Sequence, residues 1–407
     1  MPFTFEELTA SSNPLAEHYR HFRVAERLLL TGHSHQAWPD RALAGQTRAW
    51  EDAAELVDGK WERAFERAEH VRRGLRRLMG DPDGRYSLAG NTHDLLVRFL
   101  SALPLAARPR LLTTDGEFHS LRRQVDRLEE EGIEVVRVAA RPAESVGERL
   151  AAAVDERTAA AFVSTVFFGT AEIAGGLDRL AQACRRHGVP YVLDAYHHLN
   201  ALPLSLREAG LEDAYAVGGG YKYLQMGEGN CFLRYPPDCA LRPVVTGWFA
   251  EFGDLEKPPA GGVAYNAADD RFAGATYDPT SHYRGAEVLD FFVEHGLDPQ
   301  LLRRVSQHQV GRLRELFDGL DLDPGVLDRD RDVPLDRLGG FLALRSPRAA
   351  ELHAGLAARG VATDCRGEVL RLGPAPYLSD RQIEVAMRIL GEVAGSLAGA
   401  GEPRPES

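Results

Sequence analysis

Between residues 42 and 79 apolar positions recur every three or four places among Arg, Glu and Ala, the spacing of amphipathic helices, and the pattern stops at the turn residues of LMGDPDG. Beyond that point short apolar runs alternate with helical stretches: RLLTT at 110, EVVRVAA at 134, AAAFVSTVFF at 159, PYVLDAY at 190, AYAVGGG at 214 and NCFLRY at 230. Most of these runs are too apolar for a sheet with one wet face, so they predict a mostly parallel sheet covered by helices on both sides. Gly, Pro and Ala break the pattern over 251–282, which predicts a long functional loop or an interface segment. A helix around 284–320 then leads to a smaller α+β unit, with GGFLALRS and EVLRLGP as strands and RQIEVAMRILGEVAGSL as the last helix. The expected division is an N-terminal segment over 1–40, a large domain over 41–290, a small domain over 291–395 and a disordered tail over 396–407, whose AGAGEPRPES has no apolar period to bury.

Composition narrows the function. A chain of 407 residues can build a large core and usually more than one domain. A net charge of -12 gives no surface to offset phosphate repulsion, which argues against nucleic acid and for a small-molecule substrate. Four cysteines, Cys184, Cys231, Cys239 and Cys365, show neither CxxC spacing nor the density of a disulfide scaffold. The opening MPFTFEELTASSNPLAEHYR lacks an apolar signal core, and no stretch reaches membrane-spanning length; the expectation is a cytoplasmic protein with no membrane partner.

Ligands of parallel α/β sheets collect at the carboxyl ends of the strands. The residues there are Gly90 to Asp94, Asp115 to Ser120, Ser164 and Thr165, Asp194 to His198, and Gly218 to Tyr223. Asp194 closes an apolar run and needs a partner, since an ionised carboxylate buried alone is costly. Lys222 follows one strand later. The two form either a structural ion pair or a pyridoxal phosphate site, in which lysine carries the cofactor as a Schiff base and aspartate keeps the pyridine nitrogen protonated. LLLTGHSH offers a different chemistry: His33 and His35 on one strand face would resemble the ligands of a metal-dependent hydrolase, although a bare pair of histidines needs further ligands.

Motifs in order along residues 85–380 resemble the pyridoxal-phosphate enzymes of the class V aminotransferase group, and within it kynureninase. The resemblance implies a type I transferase fold, pyridoxal 5'-phosphate as cofactor, an amino-acid substrate and a homodimer with shared active sites. DAYHH is similar to the family's Asp-Leu-Ala-His, implying Asp194 as pyridine partner and His197 as a phosphate contact. YKYLQMGEG implies Lys222 as the Schiff-base lysine and Tyr221 as a phosphate ligand that also assists proton transfer. TGWF and RFAGAT imply Trp248 and Thr276 as residues reaching the cofactor from the partner subunit. GNTHD places Thr92 and His93 at a helix start on the phosphate, GEFHS offers Phe118 as the stacking ring, and Ser164 in VSTVFF matches a further cofactor contact. Either of the last two also reads as ordinary structure, a core ring or a helix cap.

In the small domain GEVLRLGPAPYL implies Arg371 as the grip on the substrate α-carboxylate, a task suited to a planar two-pronged donor. The resemblance therefore implies a hydrolase of tryptophan catabolism that cleaves the bond between the β and γ carbons of kynurenine. Two departures bear on the substrate: TGHSHQAWP puts His33 and His35 where the family has small or neutral residues facing the substrate, and Leu121 stands where kynureninases carry an acid. Other reactions on the same cofactor remain open: a carbon–sulfur lyase, an aminotransferase, or a cysteine desulfurase using Cys365, six residues before Arg371. A protein that binds the cofactor without turnover is the non-catalytic alternative.

Overall fold

The computed structural model describes residues 2–252 and 262–399, with no side-chain account of 398 and 399. Its strands in chain order are β1 Leu28–Leu29, β2 Arg85–Ala89, β3 Arg110–Thr114, β4 Glu134–Val138, β5 Thr158–Ser164, β6 Tyr191–Asp194, β7 Tyr215–Gly218, β8 Cys231–Tyr235, β9 Asp328–Arg329, β10 Leu342–Arg345, β11 Val361–Ala362, β12 Asp364–Arg366 and β13 Val369–Leu372. Seven of them form one sheet in the order β2-β8-β7-β6-β5-β3-β4. β4, β3, β5, β6 and β7 run parallel to one another, and only β8 runs antiparallel to its neighbours β7 and β2. This is the mostly parallel α/β sheet that the apolar runs predict.

Each apolar run lies inside a strand because residues on both faces are covered: every residue of β5, β7 and β8 is buried. β2 carries no such run, and the pattern missed it; RYSLA mixes polar and apolar residues on a strand at the end of the sheet, paired with β8 alone. The single helix expected over 284–320 is two helices, Thr280–Glu294 and Pro299–Asp318. Gly296 at φ +65° ends the first and Asp298 caps the second, its carboxylate accepting from the Leu301 N–H, with Pro299 as the first helical residue. Within the break expected over 251–282, residues 253–261 lie outside the described residues, and 262–279 carry neither helix nor strand. No helix among the described residues is long and apolar enough to cross a membrane.

The smaller α+β part is a four-stranded antiparallel sheet, β12-β13-β10-β9, with helices Ala349–Ala358 and Asp380–Gly399. That last helix runs past 395, so the tail expected from 396 begins inside it; residues 400–407 lie outside the described residues. The N-terminal segment is a strap across both parts. β1 pairs with β11, Thr31 bridges to Gly373, the Gln36 N–H donates to the Tyr221 carbonyl at 3.1 Å, and the Ala37 N–H donates to the Tyr377 hydroxyl at 3.0 Å. The strap approaches so closely that a Cβ on Gly32 would sit 2.5 Å from the Pro374 carbonyl oxygen.

Candidate active site

Lys222 stands in the turn after β7, where three glycines let the chain fold against its neighbours. A Cβ on Gly219 would lie 2.2 Å from the Tyr196 hydroxyl and one on Gly220 would lie 2.8 Å from the Gly227 carbonyl oxygen. The tight turn buries the lysine to 6% exposure. Its Nζ lies 2.8 Å from Nε2 of His197 and faces the rings of Tyr196 at 4.6 Å, Phe118 at 5.4 Å and Tyr221 at 5.9 Å. Burial brings the amine down to about 7, with Asp194 raising it only in part.

Asp194, the last residue of β6, points into the same cavity, where burial raises its carboxyl against the Tyr196 N–H that donates to Oδ1 at 2.9 Å. No salt bridge of 4.0 Å or less joins it to Lys222, whose charge reaches it only through space and lowers it. A half-buried acid and a buried amine thus line one cavity without an ion pair between them.

Thr92, Phe118, Ser164, Tyr196 and Tyr221 complete the walls. Thr92 opens the helix Thr92–Ser101, capped by Asn91, so backbone N–H groups at its start point an anion-binding end toward the cavity. His93, one residue on, is exposed. Phe118 precedes the helix His119–Glu130 and meets Phe168 edge-on at 5.4 Å. Ser164 donates its hydroxyl, at 2.6 Å, to a residue the sequence reading passed over, Glu117. Glu117 is 3% exposed, also accepts from the Ser164 N–H at 3.1 Å and the Thr114 hydroxyl at 2.6 Å, and burial pushes it up to about 7. The available signal was an acid three residues beyond the end of β3, one residue before the candidate ring.

From the small part of the molecule come Arg371 on β13 and Asp364 on β12, opposite each other in register, and their side chains are ion-paired. Arg371 also donates Nη1 to the Phe168 carbonyl at 2.7 Å. The strap adds His33, fully buried, stacked on Phe341 at 4.7 Å with Nε2 3.5 Å from an Asp364 oxygen. Burial holds His33 near 4, so it is neutral. The His197 ring lies 5.7 Å from that of the same Phe341 and 6.4 Å from that of Tyr223, so it sits between the lysine and Phe341. His35 behaves differently: it is exposed, stacks on Tyr221 at 4.7 Å and hydrogen-bonds Ser34 through Nδ1 at 3.1 Å.

The two histidines of TGHSH do not share a strand face, because Ser34 and His35 both donate N–H to the Thr31 carbonyl, a turn in which the alternation of a strand does not apply. Among the described residues no group of three or more His, Cys, Asp or Glu is arranged for a metal ion. Cys365 alternates with Asp364 along β12; it packs against the core while Asp364 faces Arg371, so the thiol is turned away from the lysine. Trp248 and Thr276 are exposed, and the rings next to Trp248 are Phe249 at 4.4 Å and Phe252 at 5.5 Å, so within one chain neither residue joins the cavity.

No family model matches the chain. It is 29% identical over 351 residues to isopenicillin N epimerase of Streptomyces clavuligerus, covering 80% of this chain and 84% of that protein. It is 24% identical over 255 residues to kynureninase of Geobacillus thermodenitrificans, covering 60% and 57%. Among solved structures, the cystine C–S lyase C-DES in complex with its reaction product, cysteine persulfide, superposes with a TM-score of 0.79 at 15% identity, covering 91% of this chain and 98% of that one. The chain shares the α/β fold of these solved structures, with its mostly parallel central sheet, and the proteins it resembles are pyridoxal-phosphate-dependent enzymes.

Proposed function

We propose that the protein is a pyridoxal-phosphate enzyme that labilises the Cα–H bond of an amino acid, and that it carries this through to kynureninase-like cleavage between Cβ and Cγ. The observation behind the first part is the buried amine of Lys222 and the half-buried carboxyl of Asp194 lining one cavity with no salt bridge between them. Both groups were taken out of water, at a cost that a ligand offering an aldehyde to one and a ring nitrogen to the other would offset. Phe118 and the ring-lined walls suit a flat aromatic ligand, and the start of helix Thr92–Ser101, with Tyr221, suits its phosphate.

Bound there, pyridoxal phosphate supplies a conjugated ring that takes up the electron pair left at Cα. Lys222 would hold the cofactor covalently and would take up the Cα proton, a task for which an amine near 7 is free at neutral pH. His197, 2.8 Å from Nζ, orients that amine. Asp194 would face the pyridine nitrogen and keep it protonated, and Arg371 would receive the α-carboxylate. Tyr221, next to the lysine in sequence and bonded through its carbonyl to the Gln36 N–H of the strap, would pass a proton to the departing fragment.

The finer reading rests on the likeness of YKYLQMGEG and GEVLRLGPAPYL to kynureninase motifs and on the kynureninase relative. A second reading, epimerisation at Cα, is favoured by the longer match to the Streptomyces epimerase. Incubation with kynurenine and 3-hydroxykynurenine separates them: anthranilate-type fluorescence with release of alanine supports cleavage, and its absence removes that reading. Deuterium uptake at Cα from heavy water tests the shared first step. Exposed Trp248 and Thr276 support a dimer in which each chain completes its partner's site, and four free cysteines support a reducing, cytoplasmic setting.

A further inference from the structure

The carboxylate grip is already engaged by the chain's own acid. The Arg371 side chain is 4% exposed; Nη2 is paired with Asp364, Nη1 with the Phe168 carbonyl, and Nε is buried with no hydrogen-bond partner. The same Asp364 oxygen lies 3.5 Å from His33 Nε2, and neither ring nitrogen of His33 makes a hydrogen bond although the residue is fully buried. A buried imidazole without a partner is costly, and a small turn of Asp364 toward it would supply one. Arg366, 3.6 Å from the other Asp364 oxygen, would hold the carboxylate after that turn.

We propose that Asp364 is an internal occupant of the Arg371 grip, displaced onto His33 by the incoming substrate carboxylate, and so fixes how much that carboxylate contributes to binding. The inference rests on the reading that Arg371 takes the α-carboxylate. An Arg–Asp pair is neutral as a unit, so an arriving carboxylate gains less from it than from a bare guanidinium and also meets a like charge. Once Asp364 moves to His33, Nη2 joins the unpartnered Nε in a two-pronged edge that fits a carboxylate. Asp364 acts through Arg371 and is a positioning residue for substrate selection, not a catalytic one.

The test compares 2-aminoisobutyrate, which carries the carboxylate, with isopropylamine, which is the same skeleton without it. Dissociation constants for both are measured on the cofactor-loaded protein by calorimetry. The ratio of the two constants reports the carboxylate's share of binding. In Asp364→Asn the ratio rises about tenfold, equivalent to about 1.4 kcal/mol; Asp364→Ser gives the same direction if the Asn variant does not fold. His33→Phe lowers the ratio in the parent and leaves it unmoved in the Asp364→Asn background. A ratio that falls or stays level in both Asp364 variants overturns the competition, because a residue that only steadies Arg371 cannot strengthen binding when removed. Arg371→Gln distinguishes the two levels of failure: collapse of the parent's ratio keeps the grip, whereas no change sinks the assignment of Arg371 and the competition with it.

Discussion

Lys222 owes its chemistry to where the backbone puts it. A surface lysine is charged at neutral pH; burial among Phe118, Tyr196 and Tyr221 brings this one down to about 7. Under the proposed assignment of Lys222 as covalent anchor, replacing it by Ala leaves pyridoxal phosphate unanchored. The visible absorption shift on adding cofactor should vanish, and Cα–H exchange should fall by a factor on the order of 1,000 or more, the usual scale for losing a positioned base. An unchanged absorption band would overturn the assignment.

Glu117 gives a prediction that needs no cofactor. Its folded value of about 7 stands above the ordinary 4.5, so between those two the folded chain holds a proton that the unfolded chain has lost. Stability from this group is thus present below about pH 4.5 and lost as pH rises through 7, by roughly 3 kcal/mol at full effect. Urea melts of the apoprotein and of Glu117→Gln across that range should show the variant gaining on its parent as pH rises. Buried histidines such as His33 and His198, held near 4, tilt both proteins the opposite way and drop out of the difference. A constant gap would mean Glu117 is ionised in the fold.

At the scale of elements the strap is the part whose removal says most. Residues 28–37 reach β11, Gly373 and the Lys222 turn by backbone bonds and Tyr377 through its hydroxyl, and they carry His33 and His35 with them. Gly32→Ala puts a methyl group 2.5 Å from a backbone oxygen that cannot swing aside, so one of the two segments must shift. Overpacking of this kind costs about 1–3 kcal/mol. Thermal melting of Gly32→Ala should fall by several degrees, and Cα–H exchange should drop with it because His33 and Tyr221 lose their alignment; a variant as stable and active as the parent would show the strap to be ornamental.

For the whole molecule, the exposed side chains are as informative as the buried ones. Val244, Val245 and Trp248 stand 82%, 48% and 45% exposed on one short stretch, next to a segment expected to reach a partner's cofactor. Sedimentation should give twice the chain mass of 44.8 kDa. Trp248→Ala should weaken pyridoxal phosphate retention on dialysis; a monomer that keeps its cofactor fully would refute the shared site.

Some of this was legible along the chain because parallel strands buried on both faces must be continuously apolar, which makes their polar ends conspicuous. Asp194, Ser164 and the Lys222 turn announce themselves in that way, and β2 does not because its five residues are mixed. Local spacing also misled: His33 and His35 share a strand face on paper, yet the turn at Thr31 sends one into the core and the other to the surface. The mostly parallel sheet, the lysine after β7 and the family likeness thus came from the sequence, since they are properties of neighbours along the chain, whereas the order of the strands in the sheet did not. That Glu117 backs Ser164, that Asp364 occupies Arg371, and that His33 waits beside both was decided by the tertiary structure alone. Those contacts join positions up to more than 300 residues apart, and their strength depends on exclusion from water, which no local pattern encodes.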